Sequence, residues 1–145
     1  MKLLSLFFLT IFLVKGCDAQ KQQDLETTVI EYVANTRGFY KKITVQNQMV
    51  SVSKDRKGDD KPVQIKISDS DWKKLIADFQ EINLDEVPNL KAPSEKRFYD
   101  GAAIANLKIT HKDKTYESTN FDHGNPPAEI KNLVVLINEL VKEQE

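Results

Sequence analysis

Between residues 28 and 67 apolar side chains recur at every second position, broken by turn sequences and one charged loop. A period of two is the signature of β-strands with one face in a core. In the first segment Thr28, Ile30 and Tyr32 share one face, and Val29, Glu31 and Val33 the other. Asn35-Thr36-Arg37-Gly38 carries turn chemistry, with Gly38 free to adopt a positive φ. A second alternation, Tyr40 to Val45, leads through Asn47-Gln48 into a third, Met49 to Ser53. A two-residue turn at Asn47-Gln48 sets Val45 opposite Val50 and Ile43 opposite Val52. Closing at Arg37-Gly38 sets Tyr32 opposite Ile43 and Ile30 opposite Val45. Both registers gather apolar pairs on one face, and a one-residue slip would turn every one of them over.

The rest follows as strands punctuated by single helices. Residues 54–61 (KDRKGDDK) read as a solvated loop. Asp55, Asp59 and Asp60 lack the spacing and the closing Glu of a calcium loop. Pro62 to Ile67 makes a fourth strand, with proline tolerated at its start. Ser68 or Ser70 caps a helix whose stripe is Trp72, Leu75, Ile76, Phe79 and Ile82, ending near Asn83 ahead of Pro88. Residues 84–101 form a long connection, the kind that is often functional. Ala102 to Thr110 alternates again, His111 to Lys114 makes a tight turn, and Thr115 to Phe121 returns as a sixth strand. After a loop at residues 122–125, Asn125 is placed to cap a last helix begun by Pro126-Pro127. Its stripe is Ile130, Leu133, Val134, Ile137, Leu140 and Val141. The order ββββαββα with short connections predicts an α+β fold: an antiparallel sheet of about six strands with two helices packed on one face.

The N-terminus has a different character. Lys2 is followed by an apolar run from Leu3 to Val14, interrupted only by Ser5 and Thr10. The run is apolar all round and shorter than the ~20 residues a membrane-spanning helix needs, which suits a signal peptide. Residues 1–16 are therefore expected to be a signal peptide, 17–24 a polar tether and 25–145 a single α+β domain. Cys17 is the only cysteine, so no intramolecular disulfide can form. Val14, Gly16 and Cys17 resemble a bacterial lipoprotein signal, in which the cysteine is acylated and becomes the mature N-terminus; Lys15 departs from that pattern. Cleavage after Ala19, with simple secretion, is the alternative. The lipoprotein reading places the chain in the cell envelope, in the periplasm or at the outer membrane, held through lipid on Cys17.

With Lys2 and Lys15 removed, nineteen Lys and Arg face twenty-two Asp and Glu, interspersed. No basic face stands out, so nucleic acid is not an expected partner. No phosphate loop, nucleophile elbow, paired-cysteine zinc spacing or HExxH helix is present. No catalytic residue and no cofactor are assigned. His111 reads as a solvated turn residue. His123 is more informative, because closing the hairpin at residues 111–114 brings Asp100-Gly101 opposite His123-Gly124. Two polar loops then converge, and Arg97, Tyr99, Asp100, Asp122 and His123 become the candidate binding residues. The structural alternative has Asp100 and Asp122 capping turns, Arg97 pairing with one of them, and Phe98 or Phe121 plugging the core edge. Asp100, Asp122 and His123 could also serve as a mixed oxygen and nitrogen metal set, although no spacing fixes it.

Thr36-Arg37-Gly38-Phe39-Tyr40, the Trp72 helix, Asp100 before strand five and the proline-started last helix together resemble a group of small exported bacterial proteins of unknown function. That resemblance implies fold and export, not an activity. The layout is also loosely similar to small proteinaceous protease inhibitors built from a sheet and two helices. The expected function is a non-enzymatic, envelope-anchored or secreted binding domain for a protein or small-molecule ligand. A small metal-dependent hydrolase and an enzyme inhibitor using residues 84–101 are the alternatives.

Overall fold

The computed structural model of the protein describes residues 24–142. The expected signal peptide, Cys17 and nearly all of the tether lie outside the described residues. Seven strands form one antiparallel sheet: β1 (Val29–Thr36), β2 (Phe39–Gln46), β3 (Met49–Ser53), β4 (Val63–Lys66), β5 (Ile104–His111), β6 (Lys114–Glu117) and β7 (Phe121–Asp122). Their order across the sheet is β4-β3-β2-β1-β5-β6, with β7 also on β5. Helix α1 (Asp69–Gln80) joins the two halves, and α2 (Lys131–Glu139) ends the described domain.

The four-strand meander has the expected registers: Ile30 faces Val45, Tyr32 faces Ile43, Val45 faces Val50 and Ile43 faces Val52. Asn47 (φ 52°) and Gln48 (φ 58°) are both left-handed, the backbone of a two-residue turn matched to strand twist. Lys112 (φ 50°) and Asp113 (φ 63°) repeat it between β5 and β6. Gly38 stays out of the left-handed region, so the first turn does not use its freedom. β5 lies on the other side of β1, with Ile109 opposite Ile30 and Leu107 opposite Tyr32. The apolar rows of β1, β2, β3 and β5 thereby become one floor.

Both helices pack on that floor. Ser68 caps α1, its hydroxyl accepting from the Asp71 N–H at 3.1 Å, and Trp72, Leu75 and Phe79 are buried. Leu133, Val134, Leu136 and Ile137 of α2 join the same core. Each such side chain contributes about 1.5–3 kcal/mol by leaving water. The opposite face of the sheet is open and polar: Glu31 is bracketed by Lys42 at 2.5 Å and Lys108 at 2.6 Å. In the charged loop, Asp60 accepts from the Ser53 hydroxyl and the Lys54 N–H, and Asp55 from the Lys57 and Asp59 N–H groups. These carboxylates tie the loop to itself.

Several expectations are corrected. The sixth strand is split: β6 ends at Glu117 and β7 begins at Phe121. Between them the Ser118 hydroxyl accepts from the Leu107 N–H at 3.0 Å, while the Ser118 N–H donates to the Leu107 carbonyl at 2.9 Å. α1 stops at Gln80, earlier than expected. Residues 84–101 contain two 3-10 turns, Leu84–Asn89 and Lys96–Tyr99, with Val87 and Leu90 buried. Asn125 caps no helix. The chain instead enters α2 through a 3-10 turn, Ala128–Ile130, that has no side-chain cap. His111 is not a solvated turn residue either, because Nδ1 lies 2.7 Å from the Thr28 hydroxyl and its ring meets Phe79 edge-on.

Candidate functional site

At the end of the sheet where β5 begins and β7 ends, Asp122 is buried and surrounded by donors. The Ser94 hydroxyl donates to Oδ2 at 2.5 Å, and the Lys96 N–H to the same oxygen at 2.8 Å. The Arg97 N–H donates to Oδ1 at 3.0 Å, and its guanidinium Nη1 at 3.1 Å. Desolvation pushes this carboxyl upward, but the Ser94 hydroxyl, the two backbone N–H groups and the guanidinium together hold it well below the usual carboxylate range. Asn125 closes the ring by donating to the Ser94 hydroxyl at 2.7 Å, and Arg97 also reaches the Ser94 carbonyl at 2.6 Å. Asp122 is thus the anchor of the turn at residues 94–97.

That turn displays aromatic surface. Phe98 and Tyr99 are each 71% exposed, although large aromatics normally dominate cores. Neither ring hangs loose. The Arg97 guanidinium lies 4.4 Å from the centre of the Phe98 ring, a cation–π contact. Tyr99 packs over Gly101, where a Cβ would stand 3.1 Å from Tyr99 Cε2 and 3.2 Å from the Lys96 carbonyl. The Gly101 N–H donates to that carbonyl at 2.8 Å, and left-handed Asp100 (φ 60°) turns the chain back. A side chain at residue 101 would therefore have to push Tyr99 or Lys96 aside by a few tenths of an ångström. Two further exposed apolar side chains, Phe39 and Ile104, lie at the same end of the sheet.

His123 follows Asp122 but serves a different place. Its Nδ1 is 2.6 Å from the Tyr32 hydroxyl, and its ring lies against Tyr32 and Phe39. Burial pushes the Tyr32 phenol well above its ordinary value, against a smaller opposing effect of the Asn138 amide, so the phenol keeps its proton. Tyr32, Lys41 and His123 form the sheet side of a cavity of about 280 Å³, and Val134, Asn138 and Lys142 form part of its helix side.

The expected candidates therefore separate. Asp100, Asp122 and His123 come to one end of the β5 hairpin, with the His123 N–H donating to the Ala103 carbonyl at 2.9 Å. They do not converge as ligands: both Asp122 oxygens face donors of the turn, and among the described residues no group of three His, Cys, Asp or Glu side chains could hold a metal. Arg97 pairs with Asp122 inside the turn, and Tyr99 and Asp100 are the exposed members of the set. Of the two aromatics considered as core plugs, Phe121 is buried and Phe98 is not. Lys41 was not among the candidates. Its signal was parity, since it occupies the same face as Ile43 and Val45 and is only 5% exposed.

Fold and site together define an α+β domain with one helix-covered sheet face and, at one end, an exposed aromatic turn hydrogen-bonded to buried Asp122. No protein-family model, no curated protein and no solved structure matches the chain. The likeness to small exported bacterial proteins rests on sequence layout alone.

Proposed function

We propose that the chain is a non-enzymatic, exported binding domain, held at the envelope through Cys17 or secreted after Ala19, whose contact surface is the Phe98–Tyr99 turn. The observation that carries this reading is the display of two aromatic rings, each 71% exposed, on a turn fixed from behind by buried Asp122. Exposed aromatics beside an arginine are the side chains that dominate protein contact energies. Holding them rigid before contact lowers the ordering cost of binding. The partner that fits is a protein surface with an apolar pocket and a polar rim. A proteinaceous enzyme inhibitor is the narrower version of this reading, favoured by the same rigid exposed turn.

Affinity capture from envelope extract tests the proposal, comparing wild type with the Phe98→Ala/Tyr99→Ala double variant. Partner recovery that depends on the two rings supports it, and recovery that ignores them opposes it.

A further inference from the structure

We propose that the domain stands on its N-terminal end at the bilayer, so that the Phe98–Tyr99 turn points away from the membrane and meets a protein partner there, not lipid. This orientation rests on the proposed contact role of the turn and on attachment through Cys17. The chain enters the fold at one end of β5. Leu25 is 1% exposed, and the Asp24 carbonyl accepts from the Thr28 hydroxyl at 2.7 Å. That hydroxyl lies 2.7 Å from His111 Nδ1, and the Asp24 carboxylate pairs with Lys112 at 3.6 Å. His111 is the last residue of β5, and left-handed Lys112 begins the turn after it. The entry point is thereby pinned to the far end of the strand. The aromatic turn is pinned to its start, because the Lys96 and Arg97 N–H groups donate to Asp122, and Asp122 pairs with Ile104. β5 spans eight residues, so the two ends lie about 23 Å apart.

From Cys17 to Asp24 the chain advances seven residues, at most about 25 Å when fully extended. Laying the turn on the bilayer would lift Asp24 by about the length of β5, and would use nearly the whole tether stretched out. Such stretching costs conformational entropy, and the upright arrangement needs none of it. The turn also lacks the charge of a membrane contact. Exposed aromatics beside lysine and arginine are the usual makeup of an interfacial anchor. Here Glu95 and Asp100 balance Lys96 and Arg97 within residues 94–101. The Arg97 guanidinium is moreover engaged by Asp122, the Ser94 carbonyl and the Phe98 ring. An anionic leaflet attracts clusters of basic side chains, and residues 94–101 carry no net positive charge. Apolar rings on a neutral, hydrogen-bonded turn suit a pocket on a protein.

The test uses the full protein extracted from membranes of expressing cells. It is reconstituted into phosphatidylethanolamine–phosphatidylglycerol vesicles carrying a trace of acceptor-labelled lipid. Because acylation blocks the Cys17 thiol, one introduced thiol takes a donor fluorophore, through Glu26→Cys beside the entry point or Glu95→Cys in the turn. Both positions are exposed, so the fold should tolerate them. Expected is stronger energy transfer from residue 26 than from residue 95, equivalent to a height difference on the order of 20 Å. Equal transfer, or stronger transfer from residue 95, overturns the orientation. A chain that carries no lipid and does not float with the vesicles overturns it as well. Capture from envelope extract is then repeated on the vesicle-bound protein. Capture by wild type that is lost in Phe98→Ala/Tyr99→Ala, with residue 26 nearer the lipid, is the supporting result. Capture that ignores the rings defeats the contact role and this proposal with it, even at the expected heights. Ring-dependent capture with equal or reversed heights defeats the orientation alone.

Discussion

Arg97 meets Asp122 twice, its backbone N–H at 3.0 Å and its guanidinium at 3.1 Å from the same Oδ1. The guanidinium then lies over Phe98. One residue therefore links a buried carboxylate to an exposed ring. Of the residues singled out in the sequence, Arg97 and Asp122 hold the turn together, while Tyr99 stands exposed beside Phe98.

Acid should loosen that scaffold in a defined direction. The folded Asp122 carboxyl is held below its unfolded value of about 3.9, so the stability it contributes is complete above that pH and lost as pH falls through the folded value. Asp122→Asn should be less stable than wild type at neutral pH. In urea unfolding at stepped pH, the gap should narrow below about pH 4. A gap unchanged from neutral pH into strong acid would mean that Asp122 does not titrate as described.

The break between β6 and β7 depends on one hydroxyl. Ser118 is buried, and its side chain satisfies the Leu107 N–H in the middle of β5. Ser118→Ala leaves that donor without its partner, and should cost about 1–3 kcal/mol in denaturant unfolding. A loss near zero would show that the ladder closes without it.

Trp72 is 2% exposed, and its indole N–H has no hydrogen-bond partner among the described residues. Trp72→Ala should cost about 3–5 kcal/mol. Trp72→Phe should cost clearly less, because it removes the unsatisfied donor along with some packing volume. Equal losses for the two variants would contradict this placement of the ring.

Much of the sheet was legible in the sequence, and the physical reason is parity. Ile30, Tyr32, Ile43, Val45, Val50 and Val52 could satisfy one face only in one register, and the Asn47-Gln48 turn agreed with it. The split sixth strand left a parity signal too. Tyr116 pairs with Ile109 and Phe121 with Ala105 on the same face, yet they are five residues apart, which requires an extra residue between them. The turn at residues 94–101 left no such trace. Its shape comes from long-range donors converging on Asp122, and no local period encodes that. Asn125 looked like a helix cap because its type fits one, but the Ser94 hydroxyl takes its side chain. Lys41 was passed over because a lysine in a strand reads as solvent-facing, although its position matched the core row.

Export and anchoring are tested on Cys17. Cells grown with a radioactive fatty acid should label the wild type and leave Cys17→Ser unlabelled. An unlipidated mature chain beginning at Gln20 would contradict the lipoprotein reading and leave secretion in its place.

Capture of a partner by the aromatic turn tests the proposed function most directly. Wild type and Phe98→Ala/Tyr99→Ala are immobilised at equal amounts, exposed to envelope extract, and compared in urea unfolding. Because both rings are largely exposed, the double variant should unfold within about 0.5 kcal/mol of wild type. The expected result is a protein retained by wild type and lost from the variant at unchanged stability. Retention by both, retention by neither, or a variant that is markedly destabilised would contradict a binding role for Phe98 and Tyr99.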